Sequence, residues 1–199
     1  LIVSIRGLGD IGLPPTAVLA SKGVAVVGVD INQNAVDIIN QGKIHIVEPE
    51  LDNLVQKAVE NKLLKAVTTP EKADIFIVAV PTPFKDDYKP DLSHIKSAAK
   101  AIAKVLEKGN LIILESTSPV GATEKMMAWI KEDRPDLSFP NFGADQSRAD
   151  ISVTYCPERV LPGHVVREIK ENDRIIGGVT IRCGERAREL YKLFVEGEC

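Results

Sequence analysis

Short apolar runs rich in β-branched residues alternate along the chain with stretches whose apolar positions recur every three or four residues. The first kind predicts buried strands and the second predicts helices with one covered face. Strands are expected at LIVSI (1–5), VAVVGVD (24–30), KAVT (65–68), IFIVAV (75–80), LIILES (111–116), ISVTY (151–155) and RIIGG (174–178). Most are almost continuously apolar, as in sheets covered on both sides. Helical stripes run through Leu51, Leu54, Val55, Ala58 and Val59, then Leu92, Ile95, Ala99, Ile102 and Leu106, then Ala187, Leu190, Tyr191 and Phe194. These residues read as core, with no chemistry assigned. Gly23 and Gly109 each follow a helical stretch, where a left-handed cap is wanted.

Strand–helix alternation implies parallel strands joined by right-handed crossovers. The fold expected is α/β, a doubly wound, mostly parallel sheet with helices on both faces. PTPFKDDYKPD (81–91) and RPDLSFPNFGADQSRAD (134–150) read as loops, and the second divides five strands from two. A chain of 199 residues can bury a substantial core as one domain. Its 44% apolar and 27% charged residues are ordinary for a globular protein. A net charge of -3 argues against nucleic acid or an anionic membrane as partner. No apolar run nears the roughly 20 residues that span a bilayer. Cys156, Cys183 and Cys199 are an odd set without C-x-x-C spacing, and His45, His94 and His164 are scattered. Neither disulfides nor a metal site is expected, and a reducing cytoplasm fits. Without an initiator Met or leader, and ending at FVEGEC, the chain reads as a piece of a longer polypeptide.

The main candidate for chemistry is RGLGDIGLPP, Arg6 to Pro15. Gly7, Gly9 and Gly12 carry G-x-G-x-x-G spacing after a strand and before a helix, as in a Rossmann-type dinucleotide turn. The first glycine permits the tight turn, the second admits a pyrophosphate to the backbone, and the third lets helix approach strand. Amides around Asp10 and Ile11 would face the phosphates from a helix N-terminus. Asp30, 18 positions after Gly12, can accept ribose hydroxyls and repels an added phosphate, so NAD is favoured over NADP. Pro14 and Pro15 are acceptable in a first helical turn. The Asp10 carboxylate stands near a doubly charged diphosphate and should weaken NAD binding.

GLGDIGLP, VGVDIN, IVEPEL, AVPTPF, ESTSPVGAT, YCPERVLPG and DRIIGG occur in an order that resembles the nucleotide-sugar 6-dehydrogenases, the group of UDP-glucose and GDP-mannose dehydrogenases. IHIVEPEL, PTPFK and YCPERVLPG are most similar to the branch acting on UDP-N-acetyl-D-mannosamine. The resemblance implies a four-electron oxidation in which a UDP-sugar C6 alcohol becomes a carboxylate and two NAD are reduced. A cysteine captures the aldehyde as a thiohemiacetal, and water later releases the thioester.

Carried onto this chain, the resemblance implies cofactor contacts from Thr82 in AVPTP and from Thr117 and Thr123 in ESTSPVGAT, Thr117 also holding a catalytic water. Each threonine is open to a simpler use in strand-end or N-cap bonding. It further implies that Glu158, Arg159 and Val160 meet the substrate, with Glu158 assisting acid–base steps and Arg159 offering fixed donors. A solvated Glu-Arg pair on a loop is the alternative. The nucleophilic cysteine, its lysine partner, the dimer-forming central helix and a C-terminal UDP-sugar domain are expected outside this chain, leaving it able to bind NAD but not to turn over. The full-length enzyme is expected to be a homodimer. Arg6 and Asp10 depart from the apolar or aromatic residues usual in the family's turn. Two further readings stay open: a one-step dehydrogenase of hydroxy acids or sugar phosphates, and a nucleotide-sensing module without catalysis.

Overall fold

The computed structural model describes residues 1–86, 88–142, 149–161 and 163–199. In chain order β1 (Ile2–Arg6), α1 (Leu13–Ser21), β2 (Ala25–Val29), α2 (Gln33–Asn40), α3 (Leu51–Glu60) and β3 (Leu64–Val67) form the first half. β4 (Ile75–Val78), α4 (Ser93–Ala103), β5 (Leu111–Leu114), α5 (Ala122–Asp133), β6 (Ser152–Tyr155), α6 (Val165–Glu171), β7 (Gly177–Gly178) and α7 (Ile181–Tyr191) follow. The strands make one sheet in the order β3-β2-β1-β4-β5-β6-β7. All pairings are parallel except β6 with β7. The doubly wound α/β sheet expected from the sequence is what forms.

Strand alternation sorts side chains to two faces. Val3, Ile5, Ile75, Ile77, Leu111 and Ile113 pack with α1, α3, α6 and α7 in one core. Phe76, Val78, Ile112, Leu114 and Val153 pack with α4 and α5 in the other. Each fully buried Val, Leu or Ile stabilises by about 1.5–3 kcal/mol relative to exposure. The expected helical stripes are core: Leu51, Val55, Ala58, Ile95, Ala99, Ile102, Ala187, Leu190 and Phe194 are buried. Gly23 and Gly109 adopt φ of +84° and +93°, the left-handed caps expected.

Two expectations are adjusted. The 174–178 strand shrinks to Gly177–Gly178, because the Arg174 N–H donates to the Glu198 carbonyl (2.8 Å) and its side chain turns inward. In the loop expected over 81–91, Asp87 lies outside the described residues, and the others have local order, with a Phe84–Pro90 bridge and an Asp91 N–H donating to the Pro83 carbonyl at 2.7 Å. Of the loop expected over 134–150, residues 143–148 lie outside the described residues, as does Pro162 in YCPERVLPG. Among the described residues no helix is long and apolar enough to cross a membrane.

The chain runs outward through β2 and β3, then crosses back to start β4 on the other side of β1. Strand order therefore reverses between β1 and β4. At such a switch point the connections leave in opposite directions and open a crevice beyond the carboxyl ends of the strands.

Candidate functional site

A cleft of about 490 Å³ lies at that switch point, bordered by Gly7, Gly9, Asp10, Asp30, Thr82 and Thr117 among others. Its floor is the strand-to-helix turn after β1. Gly7 has φ of +94°, and a Cβ there would lie 2.4 Å from the Ala79 carbonyl oxygen. A Cβ at Gly12 would lie 1.8 Å from the Gly7 carbonyl oxygen, so only glycine lets α1 start this close to the turn. A Cβ at Gly9 would meet no atom within 4 Å, which leaves the middle glycine facing open space. Gly7 and Gly12 are thus positions that a larger residue cannot occupy, and Gly9 is open. Pro14 and Pro15 fall in the first turn of α1, and Thr16 Oγ1 donates to the Gly12 carbonyl at 2.7 Å. Gly9, Asp10 and Ile11 are exposed at the cleft, whereas Gly12 is buried beneath it.

Asp30 sits just past β2, its N–H donating to the Val67 carbonyl at 3.1 Å. Its Oδ2 accepts the Leu8 N–H at 2.8 Å and its Oδ1 accepts the Asn32 N–H at 2.9 Å. An ionised carboxylate offers about four lone-pair sites, so two acceptor positions are left for hydroxyls. Arg6, at the end of β1, also borders the cleft. Burial pulls its guanidinium below the ordinary value, and the nearby Asp30 charge partly offsets this. Thr82 Oγ1 donates to the Thr117 carbonyl at 2.5 Å, which ties the loops after β4 and β5 together. His94 and Ser97, three apart on α4, line the far wall. Their outward position beside the Leu92–Ile95–Ala99 stripe was the one sequence signal for them.

The other expected site residues are not among those bordering this cleft. Thr123 is half-buried in the first turn of α5. Val160 packs against the α1-side core. The exposed Arg159 has its Nη2 donating to the Asp173 carbonyl at 2.9 Å. Glu158 is turned inward, its side chain 3% exposed, with Oε2 2.7 Å from Arg174 Nη1.

Glu158 belongs to a buried cluster that sequence reasoning missed. Alternation places Glu115, just past β5, on the face of Leu111 and Ile113, beneath α7. Tyr191 Oη donates to Glu115 Oε1 at 3.1 Å, and Arg174 Nη1 stands 3.9 Å from the same oxygen. The Arg174 guanidinium lies 5.2 Å from the Tyr191 ring centroid. Burial and the repulsion of Glu158 push Glu115 up to about 7, against the opposing pull of Arg174 and Tyr191. Burial by itself lowers Arg174, but Glu115 and Glu158 outweigh it and hold the guanidinium above its ordinary value. Burial, then Glu115, pushes the Cys156 thiol up to about 12, so it is protonated and a poor nucleophile. Among the described residues no group of three or more His, Cys, Asp or Glu is arranged for a metal ion.

A glycine turn open at its middle residue, a helix N-terminus behind it and a ribose-competent carboxylate beside it define a dinucleotide-binding α/β domain. The family model of the UDP-glucose/GDP-mannose dehydrogenase family, NAD binding domain, matches residues 1–195. The chain belongs to that family, as its NAD-binding domain. It is 63% identical over 198 residues to the UDP-N-acetyl-D-mannosamine dehydrogenase of Campylobacter jejuni, covering 99% of this chain and 48% of that protein. It is 61% identical over 197 residues to an NDP-N-acetyl-D-galactosaminuronic acid dehydrogenase of Ralstonia solanacearum, covering 99% and 46%. The solved UDP-D-ManNAc dehydrogenase of Pyrococcus horikoshii superposes with a TM-score of 0.90 at 37% identity, covering 100% of this chain and 46% of that one. The chain thus spans about half the length of the relatives it matches.

Proposed function

We propose that the chain holds NAD in the β1–β4 cleft and, within a longer enzyme, serves the oxidation of the C6 alcohol of UDP-N-acetyl-D-mannosamine to a carboxylate. The open space above Gly9, flanked by the Asp30 carboxylate, carries this reading. The amides of Gly9, Asp10 and Ile11 bind the diphosphate, with Gly7 and Gly12 shaping the turn. Asp30 uses its two remaining acceptor positions for ribose hydroxyls. NAD, when bound, supplies the hydride acceptor for each of the two oxidations.

The substrate side is built from later loops. Thr117 is exposed at the cleft, where its hydroxyl orients the cofactor or a water, and Thr82 fixes the loop that carries it. Thr123, at the start of α5, contributes a hydroxyl at the cofactor's other end. Glu158 takes up and returns protons at the sugar, with Arg159 and Val160 beside it forming part of the substrate wall. The cysteine nucleophile, the remaining sugar contacts and the homodimer interface belong to other parts of the polypeptide. Identity of 63% to a UDP-N-acetyl-D-mannosamine dehydrogenase supports this sugar.

The test is a full-length assay against a panel of UDP-sugars, following NADH. Two NADH per UDP-N-acetyl-D-mannosamine is the expected result. One NADH per substrate supports a single-step dehydrogenase instead. No NADH from any sugar, with no uptake of NAD by the chain in calorimetry, overturns the reading.

A further inference from the structure

The buried cluster beyond β5 and β6 joins two carboxylates to one guanidinium. Arg174 and Glu158 side chains are each 3% exposed, and that of Glu115 is 0% exposed. The five groups come from four places: Glu115 after β5, Cys156 and Glu158 after β6, Arg174 after α6 and Tyr191 on α7. Backbone bonds hold this frame, since the Glu158 N–H donates to the Glu115 carbonyl at 3.2 Å and the Cys156 N–H to the Leu114 carbonyl at 3.0 Å.

The cation is unevenly shared. Arg174 Nη1 makes a charge-assisted hydrogen bond to Glu158 but stops at 3.9 Å from Glu115, beyond hydrogen-bond reach. Glu115 Oε2 and Arg174 Nε and Nη2 are buried without a hydrogen-bond partner among the described residues. An ionised carboxylate left half-bonded in such a place is costly, whereas a protonated one is not. With Glu115 neutral, one cation balances one anion. With Glu115 ionised, two anions compete for one guanidinium that still has two unpartnered nitrogens.

We propose that Glu115 is a positioning residue: its ionisation draws Arg174 across the short gap and frees the Glu158 carboxylate for proton transfer at the substrate. Proton uptake at Glu115 returns Arg174 to Glu158 and locks it. The elevated titration of Glu115 puts this exchange near neutral pH. Tyr191 and Cys156 are the other titratable groups against Glu115, and burial raises both, so neither loses a proton in that range. The assignment rests on the proposed role of Glu158 in the dehydrogenase reaction.

Infrared difference spectra of the full-length protein test the protonation directly. A protonated-carboxyl carbonyl band should fade with a midpoint at about 7 and be missing in Glu115→Gln. Tyr191→Phe, nearly isosteric, should move the midpoint upward by removing the donor to the Glu115 anion. In turnover, kcat should rise about tenfold through the same pH, a step within the range of acid–base assistance. Glu115→Gln should flatten that step and leave NAD affinity unchanged, and Glu115→Asp should restore it in part. Absence of the band, its survival in Glu115→Gln, an unmoved midpoint in Tyr191→Phe, or an unaltered kcat profile in Glu115→Gln each overturns the proposal. An enzyme that oxidises no UDP-sugar sinks the proposed function and with it the Glu158 step, whereas the infrared band, read without turnover, still decides by itself whether Glu115 exchanges its proton.

Discussion

Two regions at the same edge of the sheet handle charge in opposite ways. Beyond β1 and β2 the cleft is open and presents backbone amides, with the acceptors of Asp30 only partly used. Beyond β5 and β6 the groups are closed off, and two carboxylates, a guanidinium and a phenol answer one another. The open region is built to take a ligand's charge. The second already holds its own, so removing a member leaves an uncompensated charge among buried side chains. The same kind of substitution should therefore cost binding in one region and folding in the other.

Arg174→Leu breaks this contrast most forcefully. It strands Glu115 and Glu158, and the loss expected for breaking a buried pair is about 3–5 kcal/mol in denaturant unfolding. The deficit should be smaller at pH 5 than at pH 8, because the stranded carboxylates can then take up protons. Beneath the cleft, where the buried Gly12 belongs to the frame and not to the open face, Gly12→Ala drives a Cβ to 1.8 Å from the Gly7 carbonyl oxygen. Overpacking of this degree should cost about 3 kcal/mol and abolish NAD uptake, read by urea unfolding and calorimetry. Gly9→Ala is its counterpart: stability within about 0.5 kcal/mol of the parent, with NAD affinity down at least about tenfold as the methyl enters the diphosphate space.

Stability should also depend on pH through Glu115. Its folded-state value near 7 lies above the ordinary 4.5, so the folded chain binds the proton more tightly than the unfolded one. The resulting stabilisation is fully present below the unfolded value, declines as pH rises through the folded one and is gone above it. Glu115→Gln should flatten this component, as measured by unfolding at pH 5, 6, 7 and 8. The smallest effect is expected from Asp10→Tyr, at the exposed rim. Removing that charge should tighten NAD binding about threefold at low salt and less at high salt, by titration calorimetry. Unchanged or weaker binding contradicts a repulsive Asp10.

The two regions also differed in how openly the sequence displayed them. Gly7, Gly9, Gly12 and Asp30 lie within one strand–helix–strand unit, where spacing maps onto geometry. Strand and helix periods gave the sheet and both cores for a similar reason, since each element carries its own pattern. The sealed cluster has no local signature. Tyr191 lies on a helical stripe and reads as core, while its hydroxyl in fact meets a residue 76 positions away. Arg174 opens RIIGG and resembles the first residue of a strand. Glu115 reads as the polar end of LIILES, and only the packing of α7 over that strand end shows what it faces. Glu158 was picked out by family likeness in CPER, which says nothing of the guanidinium behind it.

The two backbone amides on Asp30 have a consequence for recognition. Because Leu8 and Asn32 already pin its oxygens, the side chain has lost its rotational freedom during folding. A nucleotide arriving at the turn meets an acceptor already aimed, so little motion is left to freeze and the entropic toll of association is small. Affinity at this spot is set in advance by how well two short loops hold one acid still.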